Sequence, residues 1–402
     1  MDVRSVVARI GVLDWIRGGL LLVGLLCVAT GLLPAADARA NIARIAPILL
    51  FLGTVIVLAN LARQAKVFDV IATWVAIGGR GNYAALFGLC VVFASLTTTL
   101  LNLDTTAVLL TPVLLALAAR ADIAALPLAM TAIWLANTAS LLLPVSNLTN
   151  LLAADRVALT APEFAAHMAL PQVASILATA VFLWACYWRR GARGRDRYVP
   201  PPRPTLDGPR ERALFGISGA ACLLFVVAIP FVGDAIGYAS AGAALVVVVA
   251  FAVLDRRRLR PGLVPWQLLI FVTGLFLVVP TLSRYGLSDV MIALMGTDPG
   301  AAGAFRAAAA GAGLSNVLNN LPAYTAGEAV VPDGQVTTLL ALLIGTNVGP
   351  IVTPWASLAT LLCFEACRRH GLRVPALGFV LAGLGLAVVA VGAAVAALLV
   401  TA

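Results

Sequence analysis

Between Arg80 and Arg120 the chain carries one formal charge, Asp104. The stretches on either side, Gly81 to Leu103 and Thr105 to Ala119, are uncharged and mostly apolar. A carboxylate placed in hydrocarbon is costly, so this position must face protein or a wet cavity and is a functional candidate by default. Asn102, Thr105 and Thr106 surround it. The run after Asp104 reaches Arg120 before the ~20 residues that a crossing helix needs. The pattern predicts a hairpin over 82–119 that enters a membrane and turns back at Asp104. Irregular backbone at such depth is tolerated where protein or water covers it.

The rest of the chain repeats this apolar character. Of its 402 residues 61% are hydrophobic and 11% charged, against about 25% charged in a soluble domain. The class is an all-α polytopic membrane protein. Spans are expected at 15–33, 42–62, 126–153, 166–188, 213–232, 238–254, 265–282, 336–362 and 374–400. An interfacial helix is expected over 63–80, a short helix over 284–297, and a second hairpin over 304–331. No small-residue cleavage site follows the first apolar run. The six cysteines sit in or beside apolar runs without C-x-x-C spacing, and read as small buried hydrophobes. Cys363 and Cys367, four apart, share a helix face that a soft metalloid could use.

Residues 189–212, RRGARGRDRYVPPPRPTLDGPRER, form a basic, proline-rich linker. It divides the chain into a first repeat, 1–188, and a second, 213–402. With the linker in the cytoplasm and each hairpin returning to its own side, most basic residues fall inside, among them Arg63, Lys66, Arg80, Arg120 and the Arg256–Arg260 cluster. Arg39, Arg44, Arg156, Arg284 and Arg306 fall outside, with more acids than bases around them. That asymmetry places the N-terminus in the cytoplasm and the C-terminus outside. The net charge of +9 is therefore a topology signal and not a nucleic-acid footprint.

The two halves share a pattern. Pro144 follows Asn137 by seven residues, and a Leu-Leu pair closes at Leu152; Pro354 follows Asn347 by seven, and a Leu-Leu pair closes at Leu362. Each pattern comes just after an expected hairpin and interrupts an apolar run. In the charge-based topology the copies run in opposite directions. This is the signature of two inverted-topology repeats, each with a re-entrant hairpin and a broken transmembrane helix, and paired broken helices mark the binding site of a secondary transporter. The substrate-binding set expected from the two tips and two breaks is Asn102, Thr105, Asn137, Thr138, Ser146, Asn147, Asn150, Ser315, Asn316, Asn319, Asn320, Thr346, Asn347, Thr353 and Ser357, with Asp104 as the proton-coupling group. Amides and hydroxyls both donate and accept, and no Lys, Arg or His lies in the central runs. Such a set suits a small neutral polyhydroxy solute, or an anion held by helix N-termini. There is no Walker A pattern and no cofactor fingerprint. His167 and His370 form no catalytic constellation, which discourages a membrane enzyme.

These residues carry a resemblance. Asp104 to Pro112 (DTTAVLLTP), Thr138-Ala-Ser with Val145 to Asn150, Asn319-Asn-Leu-Pro322, and Gly349 to Pro354 with Ser357 to Leu362 resemble the bacterial arsenite efflux permeases. That family lies in the ion transporter superfamily, with citrate and dicarboxylate carriers and some sodium/proton antiporters. The resemblance implies export of As(III) and Sb(III) as neutral trihydroxides through the bacterial inner membrane, in exchange for protons. A cytoplasmic ATPase subunit and a homodimer partner are compatible with it, and no cofactor is implied. An organic-anion or sodium/proton carrier of the same fold is the alternative. The chain departs from the family in three respects: Leu103 precedes Asp104 where an Asn is usual, the Asn here being at 102; Asn137 and Asn347 stand where an acid is common; and the amino end is expected to be one span short of a five-span repeat.

Overall fold

The computed structural model describes residues 12–189, 197–202, 205–232, 235–296, 298 and 300–401. Within the linker, residues 190–196 and 203–204 lie outside the described residues, as do residues 1–11.

The described chain is helical throughout. In order, the elements are α1 (Val12–Ala29), α2 (Ala35–Gln64), α3 (Val67–Gly78), α4 (Tyr83–Leu101), α5 (Leu103–Arg120), α6 (Ala125–Thr138), α7 (Leu148–Val157) and α8 (Ala161–Trp188). The second half follows with α9 (Gly208–Val232), α10 (Ile236–Leu254), α11 (Trp266–Leu282), α12 (Ser288–Met295), α13 (Ala301–Val317), α14 (Asn320–Glu328), α15 (Val336–Val348), α16 (Leu358–Arg369) and α17 (Ala376–Thr401). By length and composition, helices α2, α4, α5, α8, α9, α10, α17 and the α11–α12 pair are long and apolar enough to cross a membrane.

Several polar residues in the apolar runs mark where a helix stops or starts. Asn82 caps α4 by accepting from the amides of Ala84 and Ala85. Asn102, at φ 116°, ends α4, and its side chain accepts from the Thr105 amide to start α5. Asn147 and Ser357 cap α7 and α16, and Asn319, at φ 135°, caps α14. Asparagine is among the residues that reach positive φ and also cap, so it suits a chain reversal inside an apolar environment.

α5 has 18 residues, longer than the run between Asp104 and Arg120 suggests, because its helix starts at Leu103 and takes in Arg120. The start of α5 packs directly on α4, and α3 packs against both α4 and the C-terminal part of α5. Asp69 in the first turn of α3 reaches Arg120 at the end of α5, 3.5 Å away. A π-helical turn at Thr106–Leu110 lies just after Asp104; such turns often occur at functional sites.

α1 lies along α11, and α2 along α10, so the first two helices pack mainly against the second half. The polar centre is built from α4–α7 and α13–α16, with α8 and α17 packed together beside it. Without a hydrophobic drive between helices in lipid, close packing of small residues does this work. α13 and α15 approach so closely that a Cβ on Gly345 would strike the Ala308 carbonyl.

The linker is not wholly free of the core. Arg197 pairs with Asn82 through a β-bridge, and the Tyr198 hydroxyl donates to the Ala76 carbonyl at 2.6 Å.

Candidate functional site

The gap between α6 and α7, residues 139–147, runs through buried space, so its backbone groups need partners. Thr99, one turn before the α4 reversal, donates to the Ala139 carbonyl at 3.1 Å, and its own carbonyl accepts from Ser146 at 2.7 Å. Asn150 donates to the carbonyls of Ser140 (2.7 Å) and Leu143 (2.8 Å). Three side chains of α8 complete the set. Gln172 donates to Ala139 and Thr99 and accepts from the Leu141 amide, Ser175 donates to the Thr138 carbonyl, and Thr179 donates to the Thr138 hydroxyl.

The gap between α15 and α16 is secured differently. Asn316, which stands three residues before the α13 reversal just as Thr99 does before the α4 reversal, donates to the Gly349 carbonyl at 2.9 Å. Its oxygen accepts from the amides of Val352 and Thr353, and its carbonyl from the Thr353 hydroxyl. The Asn319 amide holds the Trp355 carbonyl at 3.0 Å, and the Asn320 backbone N–H donates to the Ala356 carbonyl. Ser315 and Thr346 hydrogen-bond within their own helices. The side chains of Asn316 and Thr353 are thus engaged in holding the break. The same holds for Thr138, Ser146 and the donor side of Asn150.

The two breaks meet across the centre. Asn137 on α6 donates to the Thr360 hydroxyl on α16 at 3.0 Å. Asn347 on α15 donates to the Asn150 oxygen on α7 at 2.6 Å and accepts from Thr149 at 2.6 Å. Asn150 follows its helix cap Asn147 by three residues, and Thr360 follows its cap Ser357 by three. The sequence pairing of Asn137 with Asn347 therefore reappears as two equivalent cross-links between the halves. Thr360 belongs to this centre although it is absent from the expected set; its offset from Ser357 was the available signal.

Asp104 is 7% exposed, in the first turn of α5, where the helix dipole favours negative charge. That turn packs against α6 and α16. On α16, Cys363 accepts a hydrogen bond from Thr111 at 3.2 Å. On α5 and α6, three buried polar atoms have no hydrogen-bond partner: the Thr105 hydroxyl, the Asn137 oxygen and the Trp134 indole nitrogen. Together they comprise one acceptor, one donor and one group that is both.

A second buried acid went unrecognised in the sequence. Glu328, at the end of α14, is 4% exposed and pairs with Arg44 of α2 at 2.8 Å. Arg44 also reaches Asp155 of α7 at 3.0 Å. Arg44 lies inside α2, in its third turn, within the expected span 42–62. Among the described residues no Lys, Arg or His is buried, and no group of three or more His, Cys, Asp or Glu could hold a metal ion.

A family model described as citrate transporter matches residues 16–332. The arsenical pump membrane protein of Escherichia coli is 31% identical over 345 residues, covering 80% of this chain and 78% of that protein. The arsenical pump membrane protein of Yersinia enterocolitica is 30% identical over 340 residues, with the same coverage. Among solved structures, the YdaH transporter of Alcanivorax borkumensis, whose crystal structure is described as having an unusual topology, matches with a TM-score of 0.55 at 15% identity, over 96% of this chain and 97% of that one.

Proposed function

The chain belongs to the family of citrate transporters and arsenical pump membrane proteins, a multi-span membrane transporter, and from that premise we propose that it exports arsenite and antimonite as neutral trihydroxides in exchange for protons. The observation that carries this reading is the charge of the centre. Among the described residues the buried polar groups are amides, hydroxyls and the two acids Asp104 and Glu328, with no buried cation. A citrate-like anion would find no fixed positive partner there, and burying it uncompensated is costly. A trihydroxide needs groups that donate and accept, and the unpartnered atoms of Trp134, Asn137 and Thr105 offer both.

In this reading the halves are inverted repeats, the N-terminus is cytoplasmic and the C-terminus outside, and the chain sits in the bacterial inner membrane. Asp104 carries the exchanged proton. A sodium-coupled organic-anion carrier is the second reading, because the Asn137 and Thr105 oxygens could also ligate a cation. Expression in a host deleted for its own arsenite pump separates the two. The first reading expects raised tolerance to arsenite and lowered cellular As(III); unchanged As(III) accumulation with sodium-dependent citrate uptake would favour the second. A cytoplasmic ATPase subunit would show as a gain in export on co-expression.

A further inference from the structure

Where α3 turns into α4, the surface holds a groove of about 620 Å³, with Gly79, Arg80, Asn82, Tyr83, Trp184 and Arg197 among its lining residues. Arg80 and Arg197, from different parts of the chain, both line it, and among the described residues no acid does. Neither Arg80 nor Arg197 has an ion-pair partner among the described residues. Holding two like charges beside one groove is unfavourable unless an anion sits between them.

The placement of Arg197 is built and not incidental. Tyr198 next to it is 4% exposed, donates its hydroxyl to Ala76, bonds through its amide to the Gly81 carbonyl at 3.3 Å, and packs edge-on against Tyr83. A Cβ on Gly79 would strike the Tyr198 hydroxyl, so the glycine makes room for this anchor. The linker is thus pinned where it presents Arg197 opposite Arg80.

The groove also lies at the end of an apolar belt. Leu177 and Val181 of α8 are 61% and 66% exposed and lead directly up to Trp184. Val92 and Leu96 of α4 are exposed as well. Phe87 of α4 packs on Trp184 and Trp188, joining the two helices under the groove. Tryptophan at the end of a lipid-facing helix marks headgroup level.

We propose that this groove binds the phosphate of an anionic phospholipid, held between Arg80 and Arg197, with its acyl chains along the exposed faces of α4 and α8. Arginine forks match phosphate oxygens, and the chemistry is shared by any phosphate ester, so the test separates lipid from free anion.

The full-length protein in neutral detergent is titrated with phosphatidylglycerol, phosphatidylcholine or inorganic phosphate, reading bound lipid by native mass spectrometry and thermal unfolding. Phosphatidylglycerol is expected to bind and stabilise, and the other two are not. Replacing both Arg80→Gln and Arg197→Gln should weaken phosphatidylglycerol about tenfold to thirtyfold. Tyr198→Ala leaves net charge unchanged but releases the anchor, and should weaken it by a similar factor. Full affinity in Tyr198→Ala, or equal binding of phosphatidylcholine, would overturn the groove in favour of diffuse attraction to the surface. Stabilisation by inorganic phosphate alone would overturn the lipid and leave a soluble-anion site. Both arginines are exposed, so loss of folding in the double variant is not expected, and unfolding curves without lipid check it directly.

Discussion

At the scale of single residues, the two buried acids invite different outcomes. Asp104→Asn keeps the volume and removes the charge, so the protein should still insert while pH-driven exchange in everted vesicles disappears. Exchange that persists at the parent rate would remove Asp104 from the coupling step. Glu328 depends on Arg44, and taking away one partner leaves a buried charge uncompensated. Arg44→Met should cost roughly 2 kcal/mol, below the figure for a fully buried pair because Arg44 keeps about a third of its exposure. Adding Glu328→Gln to Arg44→Met should recover much of that loss, measured as midpoint of thermal unfolding in detergent. At the cross-links, Asn137→Ala and Asn347→Ala should each weaken substrate binding by about 1 kcal/mol, and parental transport by both variants would move the binding site elsewhere.

At the scale of elements, what holds each break open is more specific than what fills it. Asn316 alone serves one donor and two acceptor contacts across the α15–α16 gap. Asn316→Ala should therefore lower stability more than substrate affinity, and a change in affinity with unaltered unfolding would assign it to the substrate instead. Gly345→Val should push α13 from α15 and lower the unfolding temperature, since the Ala308 carbonyl leaves no room. The breaks themselves were legible because proline and asparagine at depth have few other uses, and the equal spacing from Asn137 and Asn347 carried through to equivalent contacts. The supports were harder to read. Gln172, Ser175 and Thr179 recur at helical spacing along α8, a polar stripe that periodicity could reveal, though not its target. Arg44 and Glu328 are 284 residues apart, and nothing local in either position points to the other. For Asn316 and Thr353, sequence shows that the groups are polar but not that the backbone already engages them.

At the scale of the whole molecule, the proposed orientation rests on the charge of the linker. Arg195→Cys and Thr205→Cys, in a background lacking the exposed Cys186, should react with an impermeant thiol reagent from the cytoplasmic side alone. Reaction from outside would invert the proposed orientation. The cross-links also make the halves interdependent. Severing the chain within the linker and co-expressing both pieces should restore transport, whereas either piece alone should be degraded.

The contacts of Asn347 with Thr149 and Asn150 span 198 and 197 residues of sequence. A ribosome adds about 5–20 residues each second, so the partner of α7 is made roughly 10–40 s after α7 itself. Throughout that interval the nascent first half holds open amides and hydroxyls at depth in the bilayer, and the insertion machinery must shelter them. A shortage of insertase should therefore deplete this protein sooner than a membrane protein whose polar groups pair within one hairpin.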